Sequence, residues 1–146
     1  MSANRAMAVL AGLWAGILLA IGLIGAPAGF ATLAVPADAG RVAGRMFAQE
    51  AYLGLAAAIV LFLLERSRAR RAAEAGQGSA LNANMLLLLG ALFCTVAGYF
   101  ALQPMMAAAR AGQGPWSFGA LHGVSAAFFG LKALLVLTLA WRLAPR

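Results

Sequence analysis

The sequence predicts an all-α integral membrane protein in which residues 1–146 form one domain, a four-helix bundle with both termini on the cytoplasmic side (N-in/C-in). Hydrophobic residues make up 64% of the 146 positions, and the mean hydropathy is +0.88. Charged residues account for only 10%, whereas soluble proteins average about 25%. Four apolar stretches each approach or exceed the roughly 20 residues that a transmembrane helix needs.

The net charge of +7 indicates topology rather than a nucleic-acid partner, because the arginines fall between the apolar stretches instead of along one face. The expected partners are therefore the lipid bilayer and either a second copy of the chain or another membrane protein, with no nucleic acid. Cys94 is the only cysteine, which excludes an internal disulfide and a Cys-rich metal site.

The first transmembrane helix is predicted at about residues 7–26. No charge occurs between Arg5 and Asp38, and Pro27 is expected near the helix end. A signal peptide is the alternative, because a basic N-terminal region, an apolar core and small residues around positions 26–28 imitate one. Three further apolar stretches at regular spacing favour a helix that is retained.

The second helix is predicted at about residues 46–65, after a turn between Pro27 and Pro36, with Asp38 placed to cap it. Its uncharged part, residues 51–64, reaches only about 21 Å, against a hydrocarbon core of about 30 Å. Glu50 is therefore expected at or inside the membrane boundary, with Arg45 as a further candidate.

The third and fourth helices are predicted at about residues 84–102 and 118–141. Pro104 is expected to end or bend the third helix. Trp116 and Trp141 flank the fourth helix, as interfacial tryptophans do.

The arginine distribution sets the orientation. Basic residues number seven at the two termini and the second connection, against three in the first and third connections. The positive-inside rule then places both termini in the cytoplasm. The seven are Arg5, Arg66, Arg68, Arg70, Arg71, Arg142 and Arg146, and the three are Arg41, Arg45 and Arg110.

The candidate site consists of polar residues inside the apolar stretches, because a charge at the bilayer centre costs about 2.5–3.5 kcal/mol. Glu50 and His122 are both expected about one turn below the outer surface, where they can meet. The stem of Lys132 is expected to snorkel towards the cytoplasmic face. On a helical wheel, one inward stripe contains His122, Ser125, Phe129 and Lys132, and a small-residue ridge for helix contact contains Gly119, Gly123 and Ala127.

The sequence allows two interpretations of the role of Glu50. Glu50 is either a proton-coupling carboxylate or one half of an ion pair with His122 or Arg45. His122, Met105 and Met106 are weak candidates for metal ligands, since thioethers suit Cu(I). A single histidine leaves such a site short of ligands, so the prediction is no metal and no cofactor.

Three short motifs resemble a known family. They are AGRVAGRMF at residues 39–47, the region around Pro27 and Phe30, and FGALHGVS at residues 118–125. They are similar to motifs of the small four-span membrane proteins of unknown function that include eukaryotic transmembrane protein 205. The resemblance implies a four-helix membrane protein without an established activity, and favours the bacterial inner membrane. The positions it singles out are Gly40, Arg45, Phe47, His122, Gly123 and Ser125.

Three functions of different classes fit the sequence. The favoured one is a non-enzymatic structural or partner subunit, because no catalytic constellation is present and no residue is assigned as catalytic. The second is a small oligomeric proton-coupled transporter that uses Glu50, His122 and Lys132. The third is a haem- or copper-binding redox protein, which needs more ligands than His122 supplies.

Overall fold

The computed structural model describes residues 3–144, and these form four helices that run alternately up and down. The helices are α1 (Asn4–Thr32), α2 (Pro36–Glu74), α3 (Ala83–Arg110) and α4 (Phe118–Leu143). Each is long and apolar enough to cross a membrane, which confirms the all-α class with four such helices and no strand among the described residues. Arg146, which contributed to the predicted orientation, lies outside these residues.

Local signals explain where the helices begin and end. The side-chain oxygens of Asn82 and Ser117 accept backbone N–H bonds at 3.1 Å and cap α3 and α4. After α2 and α3 the chain passes through Gly76 and Gly112, both with φ of 71°, a conformation that favours glycine. Asp38 was wrongly predicted as a cap: α2 begins at Pro36, so Asp38 lies in its first turn and pairs with Arg41.

The helices are arranged in a ring, in which α1 and α3 each contact both α2 and α4. Helices α2 and α4 therefore lie diagonally across the bundle. We call the end with Ala3, Ala144 and the connection 75–82 the closed end. The end with the connections 33–35 and 111–117 is the open end.

The hydrophobic core lies entirely in the half of the bundle at the closed end. All four helices contribute buried side chains to it. The core residues are Met7, Ala11, Trp14, Ala15, Leu18, Ala58, Leu61, Leu88, Ala91, Val136 and Leu139.

In the half at the open end, the ring separates into two pairs. Close backbone approach between α1 and α4 involves residues 3–20 of α1, and that between α2 and α3 involves residues 83–95 of α3. Beyond these positions α1 packs against α2 and α3 packs against α4. Nearer the open end, the pairs still touch through side chains, Phe47 with Phe129 and Tyr52 with Phe100. The remaining space between the two pairs forms a cleft.

Two π-helical segments, Ile21–Gly25 in α1 and Val96–Ala101 in α3, lie where the pairs begin to separate. Each precedes a proline and contains the residue four positions before it, Leu23 for Pro27 and Phe100 for Pro104. A proline ring clashes with the carbonyl at that position, and a local change to wider helical turns relieves the clash. Pro104 was predicted to end or bend its helix. It does not end it, since α3 continues to Arg110 beyond the π-helical segment.

Candidate functional site

The cleft between the two helix pairs has a volume of about 930 Å³. This lies at the upper end of the roughly 300–1,000 Å³ typical of small-molecule sites. Its walls are mostly apolar or small residues, among them Gly22, Ala26, Pro27, Phe30, Ala43, Phe47, Gly98, Met106, Ala126 and Phe129. The polar and charged lining residues are Arg41, Glu50, Gln103, Arg110, His122, Ser125 and Lys132.

A buried ion pair forms the floor of the cleft. Lys132 Nζ lies 2.5 Å from Glu50 Oε2, and both side chains are almost fully buried. Because α2 and α4 are diagonal, this pair crosses the centre of the bundle. The other carboxylate oxygen, Glu50 Oε1, accepts a hydrogen bond from the indole N–H of Trp14 at 3.2 Å. Both oxygens of the carboxylate are thus satisfied, as burial of a charge requires.

Gly54 gives the carboxylate and the indole room to meet. A Cβ built on this residue would lie 2.8 Å from Glu50 Oε1 and 3.1 Å from Trp14 Nε1. The sequence analysis assigned no role to either Trp14 or Gly54. One feature of the sequence could have indicated the role of Trp14. Its indole N–H lies within an uncharged run of 32 residues and therefore needs an acceptor from another helix.

The pairing of Glu50 differs from the sequence expectation. Helix α2 begins at Pro36, so Glu50 lies 14 residues, or about 21 Å, from the open end rather than one turn below it. His122 lies ten residues before Lys132, about 15 Å nearer the open end. Glu50 therefore pairs with Lys132, and Lys132 does not snorkel to the closed end.

The predicted inward stripe of α4 is present, since His122, Ser125, Phe129 and Lys132 all line the cleft. Ser125 Oγ donates a hydrogen bond to the carbonyl of Gly98 at 2.7 Å. Gly98 belongs to the π-helical segment of α3, whose altered turns make carbonyls available to a neighbouring helix.

Arginine and aromatic side chains form the rim of the cleft. The guanidinium of Arg110 lies 4.4 Å from the ring centroid of Phe118, a cation–π distance. The Phe118 and His122 rings stack with centroids 5.7 Å apart and an interplanar angle of 18°. The sequence led us to expect His122 close enough to meet Glu50, but His122 is exposed on this wall.

The other positions that the resemblance singled out divide into two groups. Gly40 and Phe47 line the cleft, and the ring of Phe47 makes an edge contact with Phe129 at 5.0 Å. Arg45 is exposed and does not line it. The ridge of Gly119, Gly123 and Ala127 was expected to contact another helix, but no atom lies within 4 Å of a Cβ built on either glycine.

The candidate metal ligands do not come together as one set. His122 and Met106 line the cleft, whereas Met105 is exposed elsewhere. Among the described residues 3–144, no three His, Cys, Asp or Glu side chains are grouped closely enough to hold a metal ion.

A second buried acid, Glu65, organises the closed end. Its carboxylate accepts hydrogen bonds from Arg68 at 2.6 and 3.0 Å, Asn82 at 2.8 Å and Asn84 at 3.3 Å. Asn84 in turn accepts a hydrogen bond from Arg142 at 2.8 Å. This network joins α2, α3 and α4, and the sequence analysis missed it because Glu65 adjoins an arginine-rich segment typical of a solvated loop.

These features define a class: a small all-helical protein with four helices of membrane-spanning length, a closed core at one end and a cleft at the other. The chain belongs to the family described as domain of unknown function DUF4149, whose family model matches residues 9–114. The match includes Trp14, Glu50 and Glu65, and it ends before α4, which carries Lys132. No curated protein and no solved structure matches the chain. The resemblance to transmembrane protein 205 stays a prediction.

Proposed function

We propose that this chain is a non-enzymatic membrane protein that binds an acyl chain of a membrane lipid in its cleft and serves as a partner subunit of other membrane proteins. The cleft is the observation that supports this proposal. Its apolar walls lead from the bundle surface to a floor at Glu50 and Lys132, in a protein whose helices are long enough to lie in lipid. An apolar chain gains free energy by covering such walls.

The proposal includes an orientation in the bacterial inner membrane. The closed end carries Arg66, Arg68, Arg70, Arg71 and Arg142, so the positive-inside rule favours a cytoplasmic closed end. The cleft then opens towards the outer leaflet. Reporter fusions at both termini test this orientation, and a reporter active outside the cytoplasm at either terminus would overturn it.

Trp14 provides a reporter for occupancy of the cleft, because its indole contacts the carboxylate at the floor. The other two tryptophans, Trp116 and Trp141, are exposed, and phenylalanine can replace both. In this single-tryptophan protein, phosphatidylcholine with brominated acyl chains should quench the fluorescence of Trp14 at short range.

Two leucine substitutions distinguish quenching by a lipid inside the cleft from quenching by lipid on the outer surface of the bundle. Gly40 lines the cleft and a Cβ there meets no atom within 4 Å, so Gly40→Leu should occupy cleft volume without a clash. Gly119→Leu is the matched control, because its Cβ position is equally open and lies away from the cleft. We expect Gly40→Leu alone to reduce the quenching. Equal quenching in both variants would contradict the proposed function.

Proton-coupled transport by an oligomer is a second candidate, favoured by the Glu50–Lys132 pair at the centre of the bundle. Ionisable residues at such depth mark proton pathways in many transporters. In liposomes that contain the protein, a pH gradient should dissipate faster than in empty liposomes, and Glu50→Gln should abolish the difference. A Glu50→Gln protein with unchanged proton flux would exclude this role.

The partner role is tested by isolation from native membranes. The open surface at Gly119 and Gly123 suits close approach of another helix, from a second copy or a different protein. Bulky residues at both positions should release whatever co-purifies. Recovery of the unmodified chain as a monomer without other proteins would contradict a partner role.

A further inference from the structure

We infer that the cleft binds an anionic membrane phospholipid, with the headgroup at Arg110 on the rim and one acyl chain running to the Glu50–Lys132 floor. This inference deepens the proposed function and rests on it. It specifies the charge of the lipid headgroup, which the apolar walls of the cleft do not determine.

The charge balance of the rim favours an anion. Two arginines line the cleft near the open end, Arg41 and Arg110. The only acid beside them is Asp38, which lies 2.6 Å from Arg41 and offsets its charge. The other acids of the chain are Glu50, paired with Lys132, and Glu65 and Glu74 near the closed end. Within residues 3–144, Arg110 therefore has no carboxylate in ion-pair contact.

The position of Arg110 is fixed without using up its hydrogen-bond donors. Its guanidinium lies over the Phe118 ring, which holds the side chain at the rim. Within residues 3–144, the Arg110 guanidinium donates no hydrogen bond to another side chain or carbonyl, so its N–H groups are available to a ligand. Guanidinium groups bind phosphate with two parallel hydrogen bonds, which makes arginine well suited to a phospholipid headgroup.

The length of the cleft suits one acyl chain. Phe118 lies beneath Arg110 at the rim and Lys132 lies at the floor, 14 residues further along α4, so the two levels are separated by about 21 Å. One leaflet contributes about half of the 30 Å hydrocarbon core. An acyl chain one leaflet deep, about 15 Å, therefore reaches the floor and leaves about 6 Å for the glycerol and phosphate below Arg110.

The floor is consistent with an apolar chain end rather than a charged one. Glu50 and Lys132 neutralise each other, and both carboxylate oxygens already accept hydrogen bonds. A second anion at this depth would compete with Glu50 for Lys132. The rim is therefore the place in the cleft where a headgroup charge is favoured.

The test uses the single-tryptophan protein with Trp14. Brominated phosphatidylglycerol is compared with brominated phosphatidylcholine of the same chains. We expect phosphatidylglycerol to quench Trp14 at a concentration about tenfold lower, the order expected for charge-assisted hydrogen bonds. Arg110→Gln should remove this difference. Arg45→Gln is the matched control, since Arg45 is exposed near the same end of the bundle but does not line the cleft, and it should retain the difference.

The outcomes separate this inference from the proposed function. If neither lipid quenches Trp14, the acyl chain does not enter the cleft and both proposals fail. Equal quenching by the two lipids, unaffected by Arg110→Gln, leaves the proposed function standing and overturns the anionic headgroup. A brominated fatty acid that quenches when phosphatidylglycerol does not would overturn the phospholipid assignment. If inorganic phosphate at the same concentration displaced phosphatidylglycerol and restored the fluorescence of Trp14, the phospholipid assignment would also be overturned.

Discussion

The two halves of this bundle use the same four helices for opposite purposes. In the closed half, residues such as Leu18, Leu61 and Val136 fill the centre, and the Glu65 network ties three helices together. In the open half, small residues and two π-helical segments let the helix pairs separate around a cleft. The Glu50–Lys132 pair lies at the border. The comparison shows that a short chain can keep a rigid core and still provide a binding space.

The largest loss of stability is expected when the Glu50–Lys132 pair at this border is broken. Lys132→Met leaves Glu50 as a buried carboxylate without its cation, which should cost about 3–5 kcal/mol of unfolding free energy. Adding Glu50→Gln removes the unpaired charge and should recover most of the loss. Unfolding in detergent measures both variants. A Lys132→Met protein as stable as the wild type would show that the pair does not join the two halves.

The next largest loss of stability is expected in the closed half, at Glu65. Glu65→Ala removes the acceptor shared by Arg68, Asn82 and Asn84. Because Arg68 is exposed and Asn82 is half-buried, both can bond to water instead, so the loss should be about 2–3 kcal/mol, the value of one hydrogen bond to a charged group. Glu74→Ala, an exposed acid on the same helix, is the control and should have little effect. Quenching of Trp14 by brominated lipid should persist in Glu65→Ala at temperatures where it is folded. Loss of that quenching would mean that the halves are not independent.

A smaller effect tests the packing of the π-helical segment in α3. A Cβ on Gly98 would overlap the Cβ of Phe128, so Gly98→Ala should force α3 and α4 apart and cost about 1–3 kcal/mol. Gly123→Ala, further inside α4, meets open space and should instead stabilise its helix by about 0.5–1 kcal/mol. Thermal unfolding of the two variants should therefore shift in opposite directions. A shift in the same direction would argue against close contact at Gly98.

The smallest effect is expected at the rim. His122 is exposed and stacks on Phe118, so His122→Leu removes one aromatic contact, worth about 0.5–1.5 kcal/mol, and no buried hydrogen bond. Its melting temperature should change less than that of Lys132→Met measured in parallel. A loss as large as that of Lys132→Met would place His122 inside the core instead.

The sequence predicted the helices and the shared face of α4 better than the contacts between helices. Charge-free runs and helical periodicity are enough to find four helices and to place His122, Ser125, Phe129 and Lys132 on one face. Pairing across helices depends on their relative height, which sequence spacing does not determine. The predicted span boundaries placed Glu50 near the surface, but α2 begins at Pro36 and carries Glu50 down to the level of Lys132.

The prolines illustrate a second limit. Pro27 was expected near the end of its helix, and Pro104 was expected to end or bend its helix, since proline disrupts the helical hydrogen-bond pattern. Both helices continue because π-helical turns before each proline absorb the clash at Leu23 and Phe100. The cleft begins at these segments, so the feature that most favours a function arises where the local rule failed. Glu65 was missed for a different reason: its amide partners Asn82 and Asn84 reach it only when α2 and α3 pack, although Arg68 lies one turn along the same helix.

The central claim is that α4 borders an open cleft in one half of the bundle and a closed core in the other. The reactivity of cysteines placed at these two levels of α4 tests it most directly. With Cys94→Ala as background, Ala126→Cys places a thiol on the cleft wall and Val136→Cys places one in the core, both on α4. A water-soluble thiol reagent should modify Ala126→Cys readily, and added phosphatidylglycerol should slow that reaction, while Val136→Cys stays unmodified. Equal reaction rates at the two positions, or no reaction at Ala126→Cys, would contradict an open half above a closed one.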